Sequence, residues 1–215
     1  MTGESAAPAR VTVIDLGLGN LGSVVQALQR VGGAPELSSD PKQIARAARL
    51  VLPGVAAFGL GMERAGKIDL LPALRDALAR AAPVLGICLG MQILFEEGEE
   101  DFAQKGLGLL RGKVTRLPAG VQVPHIGWQR LEQTAPSPLL DQSRRTHAPW
   151  AYFANSYRCE APPEVTQAVV HHGPVMIAAV VGQGTLYGIQ SHPEKSAQDG
   201  EAFLSRFLAL PAGRA

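Results

Sequence analysis

The sequence has few cysteines, little charge and no long apolar segment. Its two cysteines, Cys88 and Cys159, are too few for a disulfide scaffold, which fits a reducing compartment. Charged residues make up 18% of the chain and the net charge is +1, so nucleic acid and anionic membranes are not broadly attracted. The longest uncharged apolar stretch, AAPVLGICLGMQILF, is interrupted by glycine, proline and glutamine and is too short to span a bilayer. These absences predict a cytoplasmic protein without a nucleic-acid or membrane partner.

The chain has enough apolar residues to form one substantial core. Hydrophobic residues make up 46% of its 215 positions, and this length is typical of a single α/β domain. Residues 1–10, MTGESAAPAR, contain no apolar segment, so they do not form a signal peptide and are predicted to be a disordered extension. Residues 11–215 are predicted to form one domain.

Strand and helix patterns alternate in the first half of the chain. Apolar runs predict strands at residues 11–16, 35–37, 50–52 and 83–88, and helical spacing predicts helices at residues 21–31, 41–48 and 69–82. This alternation predicts a parallel sheet with helices on both faces. From Lys113 onward, short β-rich segments predict antiparallel strands that extend the sheet, before a last helix at residues 197–210. The fold class is therefore α/β.

A glycine-flanked cysteine ends one of the predicted strands. In VLGICLGMQ, Cys88 follows a buried strand in the pattern G-x-C-x-G, and the following MQILF has helical character. This pattern is typical of a nucleophile elbow, in which Gly86 and Gly90 permit a sharp turn that exposes the nucleophile. A helix N-terminus also favours the thiolate form of a cysteine. We therefore predict that Cys88 is a nucleophile and that Cys159, which lacks this context, is a small buried residue.

One histidine carries its own orienting acid. In QSHPEKS, His192 and Glu194 are two residues apart in extended chain, so their side chains can project to the same side. Glu194 could accept the Nδ1 proton and leave Nε2 facing the sulfur. His171 and His172 are adjacent on a predicted strand and point to opposite faces, so we do not expect them to share a metal ion. No metal site is predicted.

Acyl transfer also needs hydrogen-bond donors for the developing oxyanion. The backbone N–H of Leu89, the residue after the nucleophile, is one candidate. The segment LPGVAAFG supplies a second, because Gly54 and Val55 follow a strand and could turn a backbone N–H toward the thiol. A simple tight turn at Pro53 and Gly54 is the alternative interpretation.

A glycine-rich segment near the start suggests a competing function. GLGNLG, residues 17–22, matches G-x-G-x-x-G after a predicted strand, with Glu36 about 20 residues further on, as in dinucleotide-binding proteins. The same strand-to-helix turn occurs in any doubly wound sheet. We therefore expect no dinucleotide and no other cofactor, and a dinucleotide-binding or regulatory module stays as an alternative.

Several motifs together resemble a known family. PGVAAFG, GICLGMQ and SHPEKS occur in the order and at the separations of the class I (triad type) glutamine amidotransferases. More narrowly, D-x-G-x-GN near the start, KGLGLL, PHIGWQ and YFANSYR are similar to the glutaminase subunits of imidazole glycerol phosphate synthases. The resemblance covers nearly the whole chain from Val11 to the final helix. It implies a flavodoxin-like fold and the triad Cys88, His192 and Glu194.

The resemblance also implies a reaction and a partner. The thiolate would attack the glutamine carboxamide, release ammonia and leave a thioester that water hydrolyses to glutamate. The ammonia would pass through a protected channel to a (β/α)8-barrel cyclase subunit, the heterodimer partner in histidine biosynthesis. In this family, glutaminase activity is low until the cyclase site is occupied.

Further residues receive roles from this resemblance. Gln92, one helical turn beyond Cys88, is expected to contact the substrate, and the backbone of Asn155, Ser156 and Tyr157 is expected to meet its carboxylate. Glu100, in EEGEED, could bind the substrate α-amino group or belong to a solvated charge run. The residues expected to face the cyclase are Asn20, Trp128, Tyr152 and Lys195.

Two further enzymatic interpretations are compatible with the nucleophile elbow. The chain could be a glutaminase subunit that serves another ammonia acceptor, or a cysteine-dependent hydrolase. In α/β-hydrolases the acid lies between the nucleophile and the histidine. Here Glu194 follows His192, which argues against that order.

Overall fold

A computed structural model of the chain describes residues 8–100, 102–140 and 148–214. The α-helices are α1 (Leu21–Arg30), α2 (Pro41–Arg46), α3 (Phe58–Lys67), α4 (Leu70–Ala79), α5 (Leu89–Gln92) and α6 (Ala197–Ala209). The strands are β1 (Ala9–Ile14), β2 (Gly33–Ser38), β3 (Leu50–Gly54), β4 (Val84–Cys88), β5 (Phe95–Gly98), β6 (Gln104–Lys105), β7 (Leu110–Arg116), β8 (His125–Arg130), β9 (Glu132–Gln133), β10 (Trp150–Asn155), β11 (Tyr157–Glu160), β12 (Thr166–His172), β13 (Val175–Gln183) and β14 (Leu186–Ile189). A 3₁₀ turn occupies Pro193–Lys195. Among the described residues, no helix combines the length and apolar character needed to cross a membrane.

The central sheet positions the candidate site. Its strand order is β2-β1-β3-β4-β14-β13-β12-β9. Five neighbouring strands, β2, β1, β3, β4 and β14, pair in parallel. Strands β13, β12 and β9 extend this sheet with antiparallel pairs. This arrangement confirms the predicted α/β fold with a mostly parallel sheet and antiparallel strands in the C-terminal half. The C-terminal ends of β3, β4 and β14 lie side by side, which is where open α/β sheets bind ligands.

Not all of the predicted antiparallel strands extend the central sheet, because several β-rich segments after Lys113 form smaller sheets beside it. Strands β11, β7, β5 and β6 form a four-stranded sheet, and β8 and β10 form a two-stranded antiparallel ribbon. The ribbon is joined to the segment that follows β14, because the backbone N–H of His192 donates to the carbonyl oxygen of Tyr152 at 2.8 Å.

Both faces of the central sheet are covered by helices. Val11 and Val13 of β1 pack on one face with α1 and α6, while Ile14 of β1 packs on the other face with α2, α3 and α4. This alternation follows from the two-residue repeat of strand side chains. The parallel strands β3 and β4 are buried along their whole length, which explains their continuous apolar sequences.

Three local predictions need correction. Strand β1 begins at Ala9, because Ala9 and Arg10 already pair with β2, so the domain starts before residue 11; residues 1–7 of the predicted extension lie outside the described residues. Helix α3 was not predicted. The helix after the elbow ends at Gln92 rather than continuing through MQILF, because Phe95 already pairs in parallel with Leu110.

Candidate active site

The nucleophile elbow is built by close backbone packing. Cys88 is the last residue of β4 and has φ 53° and ψ −111°, a strained conformation for a residue with a side chain. A Cβ on Gly90 would lie 1.7 Å from the carbonyl oxygen of Leu52, and one on Gly86 would lie 2.6 Å from that of Gly90. Glycine is therefore required at both positions, as the sequence predicts. Cys88 is 8% exposed and lines an open pocket.

The predicted base and its acid lie together beside the cysteine. The Nδ1 atom of His192 is 2.8 Å from Oε1 of Glu194, and the two side chains are 3% and 0% exposed. Burial acts to lower the pKa of His192. Hydrogen bonds and charge from Cys88 and Glu194 outweigh burial and raise this pKa from 6.5 to about 9. His192 is therefore protonated at neutral pH, so it can donate a proton during a reaction at Cys88.

The glycine-rich segment contacts the same acid. The side-chain amide of Asn20 donates a hydrogen bond to Oε1 of Glu194, the oxygen that also contacts His192. In the described part of the chain, Oε2 of Glu194 is buried without a hydrogen-bond partner. Asn20 has φ 59°, a left-handed conformation that asparagine tolerates well. The segment that suggested a dinucleotide therefore supports the acid of the candidate triad.

All five predicted substrate-binding residues line one pocket. The pocket is lined by Val55, Ala56, Cys88, Leu89, Gln92, Glu100, Ala154, Asn155, Ser156 and Tyr157. Sequence positions from four separate segments thus meet at the thiol. Their contacts with a substrate stay predictions.

Gln92 and Glu100 are each held by hydrogen bonds that the sequence did not predict. Gln92 is 6% exposed, and its Nε2 donates to Oε1 of Gln190 at 3.1 Å and to the carbonyl oxygen of Tyr157 at 3.5 Å. Glu100 is half-buried, and its Oε2 accepts from the backbone N–H of Phe58 at 2.6 Å at the start of α3. Glu100 is therefore fixed at the pocket wall and not free in a solvated charge run.

The two predicted oxyanion donors differ in whether the N–H group already has an acceptor within the protein. Leu89 is the first residue of α5, so its N–H has no acceptor within the helix. Gly54 lies opposite Cys88 in the register of β3 and β4, but the N–H of Val55 donates to the carbonyl oxygen of Leu18 at 3.1 Å. The Val55 donor is thus occupied in this structure, and the Gly54–Val55 peptide must rotate before it can serve an oxyanion.

Two of the four residues predicted to face a partner form an aromatic pair on the ribbon. Trp128 on β8 and Tyr152 on β10 are paired in register and contact edge to face, with 5.9 Å between ring centroids. The guanidinium of Arg130 lies 5.6 Å from the ring centroid of Trp150 on the same ribbon. Trp128 and Trp150 are 46% and 45% exposed. Lys195 is exposed beside the triad, whereas the Asn20 amide points inward to Glu194.

One polar residue at the site was missed by the sequence interpretation. Gln190 is fully buried, and its Nε2 lies 3.7 Å from Sγ of Cys88. A signal was present, because Gln190 directly follows the apolar strand β14 and precedes His192 by only two residues. Cys159 is also close, with its Sγ 4.0 Å from Oε1 of Gln190, which its sequence context did not indicate.

The fold and the cysteine–histidine–glutamate site define a class I glutamine amidotransferase, and that family matches residues 12–210. The chain is 46% identical to the imidazole glycerol phosphate synthase subunit HisH of Symbiobacterium thermophilum, with 93% of each chain covered. It is 41% identical to the HisH subunit of Bacillus subtilis, covering 94% of this chain and 97% of that one. The chain belongs to the HisH family of class I glutamine amidotransferases.

Solved structures support the fold at much lower identity. PurLQS from Thermotoga maritima matches with a TM-score of 0.72 at 20% identity, covering 94% of this chain and 98% of that one. A structure described as a glutamine amidotransferase matches with a TM-score of 0.71 at 19% identity, covering 93% and 99%. At these identities, the similarity extends to the fold alone.

Proposed function

We propose that this chain is the glutaminase subunit of an imidazole glycerol phosphate synthase. It hydrolyses glutamine to glutamate and ammonia at Cys88 and delivers the ammonia to a (β/α)8-barrel cyclase subunit in histidine biosynthesis. The observation that carries the proposal is the pocket in which Cys88 adjoins the buried His192–Glu194 pair. The names of the HisH relatives support the pathway and the subunit role.

The chemistry follows from the protonation of the pair. The Cys88 sulfur attacks the carboxamide carbon of glutamine, and the C–N bond breaks as protonated His192 gives its proton to the departing ammonia. The product is a glutamyl thioester and a neutral imidazole. That imidazole then removes a proton from water, whose oxygen attacks the thioester, and glutamate leaves as the sulfur is regenerated. Glu194 holds the imidazole orientation through Nδ1 in both steps.

Transition-state stabilisation requires a change at Val55. The N–H of Leu89 supplies one oxyanion donor, and the N–H of Val55 supplies the second after it leaves the carbonyl oxygen of Leu18. Leu18 belongs to the same segment as Asn20, so this segment contacts both the acid and the oxyanion donor. A partner that moves the segment would therefore activate the glutaminase.

The cyclase is proposed to dock on the aromatic ribbon. Trp128 and Tyr152 form its centre, and Lys195 lies near the triad on the exposed side of the 3₁₀ turn. Exposed aromatic residues are typical of the centre of protein interfaces. Because β10 is hydrogen-bonded to His192, docking there places the partner next to the site of ammonia release.

The test is a Cys88→Ala variant assembled with the cyclase. We expect glutamine-dependent turnover to fall by at least about 10⁴-fold, while turnover with added ammonium salt stays within about twofold of wild type. Both rates are measured from the formation of the cyclase product.

A Cys159→Ser variant is the matched control, because it replaces the second buried thiol, which is not proposed to react, and keeps a hydrogen-bond donor at that position. It should keep both activities if it folds. Loss of ammonia-dependent turnover in Cys88→Ala would show that the thiol is structural, and retained glutamine-dependent turnover would exclude Cys88 as the nucleophile.

A further inference from the structure

Gln190 is a buried polar side chain in contact with the reacting sulfur. It follows β14 and is 0% exposed. Its Nε2 lies 3.7 Å from Sγ of Cys88, and its Oε1 accepts from Nε2 of Gln92 at 3.1 Å. Fully buried amides in folded proteins are hydrogen-bonded, so the orientation of this one determines what it offers to the sulfur.

The orientation of the Gln190 amide is fixed by a backbone carbonyl. The carbonyl oxygen of Tyr157 can only accept, and it accepts from Nδ2 of Asn155 at 3.0 Å and from Nε2 of Gln92 at 3.5 Å. The amino group of Gln92 therefore faces both Tyr157 and Gln190. Gln190 must present its oxygen to that amino group, which leaves its own amino group for Cys88.

Cys159 reinforces the same orientation. Its Sγ lies 4.0 Å from Oε1 of Gln190. Burial, and then the neighbouring Cys88, raises the pKa of Cys159 well above its ordinary value. Cys159 therefore stays a thiol, which is a weak donor, and adds to the donors around the Gln190 oxygen.

An N–H donor on the sulfur favours the reactive form of Cys88. Hydrogen bonds stabilise charged acceptors more than neutral ones, so the donor favours the thiolate over the thiol. Helix α5 has only four residues, so the field of a long helix is not available at this cysteine. A directed side-chain donor supplies stabilisation that the short helix does not.

We propose that Gln190 is a further catalytic residue, which donates a hydrogen bond to the Cys88 thiolate and is held in that orientation by Gln92. This proposal rests on Cys88 being the nucleophile of the proposed function. Gln92 then has two roles: it orients the Gln190 amide, and it contacts the substrate.

The test measures the pH dependence of alkylation of the full chain by iodoacetamide, with adducts at residues 88 and 159 separated by peptide mass mapping. In Gln190→Met, which keeps length and removes the donor, we expect the midpoint of the Cys88 profile to move upward by about one pH unit. Below the midpoint, the alkylation rate then falls by about tenfold. Gln92→Met, which frees the orientation of Gln190, should shift the midpoint in the same direction by less. Gln183→Met, at the exposed end of β13, is the matched control and should not change it.

The outcomes separate the role of Gln190 from the role of Cys88 as the nucleophile. A midpoint in Gln190→Met equal to that of wild type overturns the role of Gln190 while leaving the nucleophile intact. An unlabelled Cys88 in wild type contradicts the proposed function itself. If Gln190→Met does not fold, Gln190→Leu also removes the donor without adding a charge, so an upward shift supports the proposal and an unchanged midpoint overturns it.

Discussion

The two sides of the candidate site differ in how completely their polar groups are arranged for reaction. On the acid–base side, His192 and Glu194 are buried, hydrogen-bonded to each other and in contact with Cys88. On the oxyanion side, the N–H of Val55 is committed to the carbonyl oxygen of Leu18. We infer from this difference that the proton-transfer groups are preorganised, and we propose that the Gly54–Val55 peptide limits activity.

The connection between the two sides is a short segment. Residues 17–20 reach Glu194 through the Asn20 side chain and Val55 through the Leu18 carbonyl oxygen. The segment also approaches Val55 closely, because a Cβ on Gly19 would lie 3.2 Å from Cγ2 of Val55. Its glycines serve this close approach and the turn.

After the loss of Cys88 itself, the largest expected effect comes from removing the Val55 donor. Val55→Pro has no N–H, so it cannot stabilise the oxyanion after rotation. We expect kcat for glutamine in the assembled complex to fall by about 10²–10³-fold. Val55→Ala keeps the N–H and should stay within about threefold of wild type. Equal activity of the two variants would exclude Val55 as a donor, and higher activity in Val55→Pro would make the Leu18 bond purely inhibitory.

A smaller effect is expected from removing the Asn20 side chain that donates to Glu194. Asn20→Gly removes the amide that contacts Glu194 and keeps a residue suited to the left-handed backbone. Glu194 then becomes a stronger acceptor for the His192 proton. We expect kcat for glutamine to fall by about tenfold and the alkaline limit of activity to move upward.

Gly22→Ala is the matched control for Asn20→Gly, because a Cβ at Gly22 meets no atom within 4 Å. It should leave both the rate and the pH profile unchanged. An unchanged pH profile in Asn20→Gly would mean that the Asn20–Glu194 bond has no part in setting the protonation of His192.

The smallest effect is the pH dependence of the wild-type complex. The raised pKa of His192 predicts that glutamine-dependent turnover falls to about half near pH 9, as the proton donor is lost. The contribution of this group to stability is complete below about pH 6.5 and is lost as the pH rises through about 9. Thermal unfolding across this range measures the second effect. A turnover limit near pH 6.5 would mean that His192 is not held in its protonated form.

The sequence was sufficient for the parts of the site that depend on local geometry. The elbow at Cys88 follows from glycines two residues to either side, and the His192–Glu194 pair follows from a spacing of two residues. Both are visible because the residues that act together are close in the chain.

Contacts between distant segments could not be predicted in the same way. The orientation of Gln190 depends on the carbonyl oxygen of Tyr157, and the state of Val55 depends on that of Leu18. Backbone carbonyls carry no sequence signal. The early end of α5 was missed for a related reason, because it is set by pairing of Phe95 with β7 and not by the helical propensity of MQILF.

The central claim is that the acid–base side is complete in the isolated chain while the oxyanion side is not. It is tested most directly by measuring, with and without the cyclase subunit and its ligand, both the alkylation of Cys88 by iodoacetamide and the hydrolysis of glutamine. Alkylation needs the thiolate but no oxyanion donor. We predict that alkylation changes by less than about threefold while hydrolysis rises by at least about 100-fold. Equal increases in both rates, or full hydrolysis by the chain alone, would contradict the account.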